Sequence, residues 1–185
     1  MVVLQVFRSA QNLERQGAVI TSDFYDRYGL FPWQRSGTWR SVLEWTLACP
    51  TDISTAMMPP SRVGMAMEQL GMMPTVRRLN LMASDVCSRD LKHLTSLVCL
   101  EDLNLSSTAI DDSALDSLTS LPNLRVLDLS ETSISDAALP RIANMLSLKS
   151  VNLAKTNVSR HGLRDLSRAR PDLAVPRPAR KKMRA

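Results

Sequence analysis

Few side chains in this sequence have the type and spacing for covalent chemistry, and each such set has a plainer reading. The two histidines, His93 and His161, fall within and at the start of helical patterns, so neither meets a serine and an aspartate near a strand end as nucleophilic hydrolysis requires. Asp111 and Asp112 are neighbours in sequence and read as a helix N-cap and a first-turn acid beside the positive helix end, not as an acid/base pair. Cys87, His93 and Cys99 are metal-ligating types, but the close cysteine pair and the fourth ligand of a structural zinc site are missing. The six glycines form no phosphate-cradling loop. The expectation is a protein without catalytic residues, metal, cofactor or small-molecule substrate.

The residues that remain are organised by a period. Val76, Leu100, Leu124 and Leu148 stand 24 residues apart, as do Leu79, Leu103, Leu127 and Val151, and then Leu81, Leu105, Leu129 and Leu153. Ser84, Thr108, Thr132 and Thr156 make a hydroxyl column, followed by Val86, Ile110, Ile134 and Val158 and by Leu91, Leu115, Leu139 and Leu163. Each unit offers about six aliphatic side chains at roughly 1.5–3 kcal/mol apiece, against about 36 kcal/mol for ordering its residues. One unit cannot stand alone, whereas stacked units share a continuous core.

Residue type supplies the internal logic. The L-x-x-L-x-L stretch alternates as a short strand, turning leucines inward and Arg78, Asp102, Val126 and Ser150 outward, with Asn80, Asn104, Asp128 and Asn152 as the second outward column. A hydroxyl in the Ser/Thr column can satisfy backbone groups at the following turn. Asp111, Ser135 and Ser159 precede helical L-x-x-L patterns and occupy N-cap positions; Cys87 breaks that column. Helical segments are expected through Leu91–Leu94–Leu97, Leu115–Leu118–Leu121, Leu139–Ile142–Met145 and Leu163–Leu166. A degenerate unit, carrying Met67, Leu70 and Met73 with a barely recognisable strand between Asp52 and Met57, precedes Val76.

This L-x-x-L-x-L-x-x-[ST]-x-[IV] unit resembles the leucine-rich repeat family. The resemblance implies an α/β leucine-rich repeat solenoid, with short parallel strands on the concave face and helices on the convex face, whose relatives mostly serve as binding platforms. The expected organisation is an aromatic-rich N-terminal cap or docking segment at 1–60, then a solenoid at 61–175. Its units are a degenerate repeat at 61–75 and repeats at 76–99, 100–123, 124–147 and 148–172. A basic Pro/Arg/Lys tail at 176–185 completes the chain. Glu44-Trp45-Thr46-Leu47-Ala48-Cys49, ahead of a short array, is also similar to a stretch of a small mitochondrial leucine-rich repeat protein associated with respiratory-chain or ATP synthase assembly. Only those six residues carry that likeness, and they identify no specific protein.

Charge and aromatic residues are both displaced from the repeats. The net charge of +5 comes from nine Arg/Lys against two Asp in 160–185, leaving the preceding chain at about −2. Arg160, Arg164, Arg168 and Arg170 are expected to line the last helix and its exit. Arg164 and Arg168, with Arg177, Arg180, Lys181, Lys182 and Arg184 of the tail, are candidate contacts for an anionic partner. All eight aromatics lie in the first 45 residues, where Tyr28, Trp33 and Trp39 read either as the core of a cap or as anchors for a protein partner. The concave candidates for protein binding are Arg78, Asn80, Asp102, Asn104, Val126, Asp128, Glu131, Ser150, Asn152 and Lys155, a mixed-charge set unlike a nucleic-acid groove. Three cysteines at uneven spacing fit a reducing compartment, and no apolar run reaches the ~20 residues of a membrane span. The functional expectation is a non-catalytic adaptor or structural subunit of an intracellular assembly, cytoplasmic or alternatively mitochondrial and not secreted. The alternative is a ribonucleoprotein component, for example of a ribosome, whose basic C-terminus contacts RNA.

Overall fold

In a computed structural model the described residues are 11–13, 15–21, 52–54 and 60–176. They build one six-stranded sheet in sequence order. The strands are β1 (Val19–Thr21), β2 (Asp52–Ser54), β3 (Arg78–Asn80), β4 (Asp102–Asn104), β5 (Val126–Asp128) and β6 (Ser150–Asn152). Strands β2 to β6 pair in parallel, each matching the residue one unit on: Leu79 faces Leu103, Leu103 faces Leu127 and Leu127 faces Val151. Strand β1 closes the first edge in the antiparallel sense.

Between strands the chain returns through helical segments that bury the remaining aliphatic columns. These are α1 (Pro60–Gly71), a 3-10 segment (Ser88–Ser96), α2 (Ala114–Leu118), a 3-10 turn (Asp136–Ala138) leading into α3 (Leu139–Asn144), and α4 (Arg160–Ala169). The Leu91–Leu94–Leu97 segment is 3-10 rather than α. Among the described residues no helix is long and apolar enough to cross a membrane.

The period becomes a core. The columns beginning at Val76, Leu79 and Leu81 are at most 5% exposed throughout, and Val86, Ile110 and Ile134 are fully buried beside them. Leu13 and Ala18 bury against the first edge, and Met67, Leu70 and Met73 of the degenerate unit join the same cluster. That unit's strand was hard to recognise because Asp52 pairs with Arg78 across 26 residues, two more than the period.

The far edge is closed differently. Ala174 bridges to Ser150, and Leu173 covers the core. Arg170, expected as one of the basic side chains at the helix exit, is 8% exposed. Its guanidinium donates to the carbonyls of Ala143, Met145 and Leu148 at 2.9–3.1 Å, and to both Asp172 carboxylate oxygens at 2.9 Å. In preceding units apolar residues occupy this place, Val98, Pro122 and Leu146. The carbonyls belong to the end of α3 and the turn between α3 and β6, so the arginine's fork of donors ties the last turn to its neighbour. The pair holds the Asp172 carboxyl down at about 2 and raises the arginine.

Candidate protein-binding face

Side chains on the strand face are placed by how each strand ends. Asn80, Asn104, Asp128 and Asn152 terminate β3 to β6, and each Oδ1 accepts from the amide two residues on, at 2.8–3.1 Å. This Asx turn stops the strand, so the second outward column also serves the fold. The next residue but two is left-handed in every unit: Ala83, Ser107, Glu131 and Lys155 have φ of 54–59°. The hydroxyl column then donates to the carbonyl three residues back: Ser84 to Leu81, Thr108 to Leu105, Thr132 to Leu129 and Thr156 to Leu153, at 2.5–2.8 Å. Turn and hydroxyl recur four times in register, after β3 to β6 of the five parallel strands. The fold is a leucine-rich repeat solenoid.

The solenoid has no match among protein-family models or among curated proteins. Among solved structures it is similar to a leucine-rich repeat protein of Leptospira interrogans, with 17% identity over 60% of this chain and 27% of that one at a TM-score of 0.46. It is similar also to an internalin of Listeria monocytogenes, with 15% identity over 62% of this chain and 38% of that one at a TM-score of 0.41. The chain thus spans well under half the length of either protein.

Neighbouring units are tied on both sides of the solenoid. On the strand face Arg78 makes a two-point pair with Asp52 at 2.5 and 2.6 Å, Arg125 lies 3.7 Å from Glu101, and Asn152 Nδ2 donates to Asp128 Oδ2 at 3.0 Å. At the left-handed turns Ser107 and Lys155 both donate to Glu131, which lowers its carboxyl, the lysine's hydrogen bond being the larger cause. Glu131 and Lys155, proposed as separate contacts, therefore form one pair.

At the helix starts the expected capping pattern needs correcting. Ser135 and Ser159 are N-caps, accepting from Ala137 and Gly162. Asp111 instead accepts from Ser113 N and Oγ and from Ser88 Oγ of the unit before, which hold its carboxyl below the ordinary range; the helix N-cap is Ser113. Asp112 is no first-turn acid: it takes the amide and hydroxyl of Ser135 in the next unit at 2.7 and 2.6 Å. Asp136 does the same for Ser159, with its carboxyl lowered as a result, and its Oδ1 lies where any Cβ on Gly162 would have to go. Cys87, expected to break the column, is nevertheless the N-cap of its segment, where Asp90 accepts from its amide at 2.9 Å.

Two adjoining depressions of about 310 Å³ each lie on the strand face, and both include Asp52, Arg78 and Asp102 in their linings. The first reaches toward Val19 and Asn104, the second toward Glu101, Arg125 and Val126. Asp102 is half-buried, and its carboxyl is raised: burial is the largest cause, Asp128 and Asp52 add repulsion, and Arg78 opposes them. Val126 is 40% exposed at the next position along the row, followed by half-buried Ser150. The structure thus gathers Arg78, Asn80, Asp102, Asn104 and Val126 around the depressions and leaves Ser150, Asn152, Glu131 and Lys155 toward the other end. Asp52 was missed in the sequence because the longer first unit moves it out of its column.

Arg164 and Arg168 are exposed on α4, and Arg168 lies 3.5 Å from Asp165. Tyr28, Trp33 and Trp39, the Glu44 to Cys49 stretch and the tail residues Arg177, Arg180, Lys181, Lys182 and Arg184 lie outside the described residues.

Proposed function

We propose that the chain is a non-catalytic adaptor or structural subunit of a larger protein assembly that grips a protein partner with its strand face. The carrying observation is the pair of adjoining depressions that share Asp52, Arg78 and Asp102. They lie side by side across neighbouring strands, over a core whose aliphatic columns are filled, which suits an extended polypeptide better than an enclosed small molecule. Mixed charge with an exposed valine suits protein recognition, where charge placement gives specificity more than raw affinity. The 1–60 segment, with Tyr28, Trp33 and Trp39, serves as a second docking element in this reading, and 61–175 as the platform.

Affinity capture with the intact chain tests it, set beside Val126→Arg, a Tyr28→Ala/Trp33→Ala/Trp39→Ala variant and an Arg164→Glu/Arg168→Glu variant. Val126→Arg should lose the protein partners while remaining folded, and the arginine reversal should keep them. Capture untouched by Val126→Arg, together with RNA lost on arginine reversal and a log K against log salt slope near −3, would replace this reading with RNA binding.

A further inference from the structure

We propose that the depression floored by Asp102 receives a basic side chain, Lys or Arg, from an extended segment of a protein partner, which supplies the missing rung of the strand-face charge ladder. This deepens the protein-binding reading and rests on it.

The inference comes from a contrast within the array. Among the described residues from Val76 onward, every other carboxylate has an interaction of its own. Glu101 faces Arg125 and Asp116 faces Arg141. Asp128 holds Ser130 and Asn152, Glu131 holds Lys155, Asp165 holds His161, and Asp172 holds Arg170. Asp90, Asp111, Asp112 and Asp136 each accept from amides or hydroxyls. Asp85 also has an interaction. Within this set Asp102 alone has no hydrogen-bond donor or cation within bonding distance.

Its position explains why. The row reads Asp52, Arg78, Asp102, Val126, Ser150, with rungs roughly 4.8 Å apart. Arg78 makes its two-point pair toward Asp52, on the side away from Val126. On Asp102's other side, where continued alternation would put a cation, the chain has Val126. The ladder stops one charge short, at a half-buried carboxylate with Asp52 and Asp128 close enough to repel it. Burying a carboxylate without a partner works against folding, and a guest cation relieves both the burial and the repulsion. The methylenes of the same guest can lie along Val126. A phosphate would meet the opposite condition.

The titratable and charged groups around Asp102 are Asp52, Arg77, Arg78, Glu101, Arg125 and Asp128. The test is carbon-detected NMR of the Asp102 carboxyl in the full chain, titrated with a blocked Val-Arg-Val tripeptide and with its citrulline counterpart, a neutral isostere. The arginine peptide should move the Asp102 resonance saturably and lower its titration midpoint. Its affinity should fall at least fivefold in Asp102→Asn and not in Asp116→Asn, and citrulline should bind at least fivefold more weakly. Equal binding by Asp102→Asn, or a response to a phosphopeptide instead, overturns the proposal. A chain ending at Val175 whose Asp102 midpoint lies above that of the full chain would show the chain's own tail in the site, and overturns it too. Loss of partner capture by Val126→Arg but not by Asp102→Asn would sink this inference and leave the protein-binding reading standing.

Discussion

The two halves of the strand face use the same kinds of side chain to different ends. Toward the C-terminal end, Asp128 holds Ser130 and the Asn152 amide, Glu131 holds Ser107 and Lys155, and the edge is locked by Arg170. Toward the N-terminal end, Asp102 sits at the meeting point of two depressions with no such contact. Carboxylates in the first half of this comparison maintain the fold; in the second, Asp52 and Glu101 pair with Arg78 and Arg125, and Asp102 is left without such a partner. A repeat makes the difference visible, because Asp102 stands in the same column as Arg78, which has its pair with Asp52, and the partners can be compared position by position.

The largest effect should come from breaking what both halves share. Leu127, 1% exposed between Leu103 and Val151, joins them. Leu127→Asp places a charge in that shared core and should cost more than about 5 kcal/mol, comparable with the whole stability of such a domain. Circular dichroism should find no cooperative thermal transition; an unchanged melting curve would refute the column alignment.

Next comes the closed edge. Arg170→Ala strips the carbonyls of Ala143, Met145 and Leu148 of their donor and should cost about 2–4 kcal/mol by urea titration. The pH dependence sharpens this. Asp172 has its folded pKa depressed from 3.8 to about 2, so its contribution is present above the unfolded value and is lost as pH falls through about 2. Asp111, Glu131 and Asp136 are shifted in the same direction and add to the acid loss. Asp172→Asn should therefore flatten the stability decline between about pH 4 and pH 2 relative to the parent chain, and an unchanged decline would remove the ion pair from the account.

Much of the architecture was legible in the sequence because apolar columns at a constant period have one low-energy arrangement, the stacked strand. Every column from Val76 to Leu153 is buried as that argument requires. The hydroxyl column was legible for the same reason, since Ser84, Thr108, Thr132 and Thr156 solve one local problem four times. Contacts between different columns were not. Asp112 reaches Ser135 across 23 residues, an offset that no single column displays. Arg170 was taken for a surface charge, although a signal was present: it stands in a column otherwise filled by Pro74, Val98, Pro122 and Leu146, with an aspartate two residues on. The column is exposed in the preceding units, so the signal is the change of type together with the nearby acid. On the strand face, Asp102 and Asp128 stand in different outward columns and were both candidate contacts, and only their partners tell them apart.

That contrast supplies the most direct test of the claim that Asp102 is not used by the fold. The measurement is the unfolding free energy, in urea at neutral pH, of Asp102→Ala beside Asp128→Ala. Asp128→Ala should lose about 1–2 kcal/mol through its contacts with Ser130 and Asn152, whereas Asp102→Ala should be as stable as the parent chain or slightly more so. If Asp102→Ala loses as much as Asp128→Ala, the carboxylate has a structural partner and the central claim is contradicted.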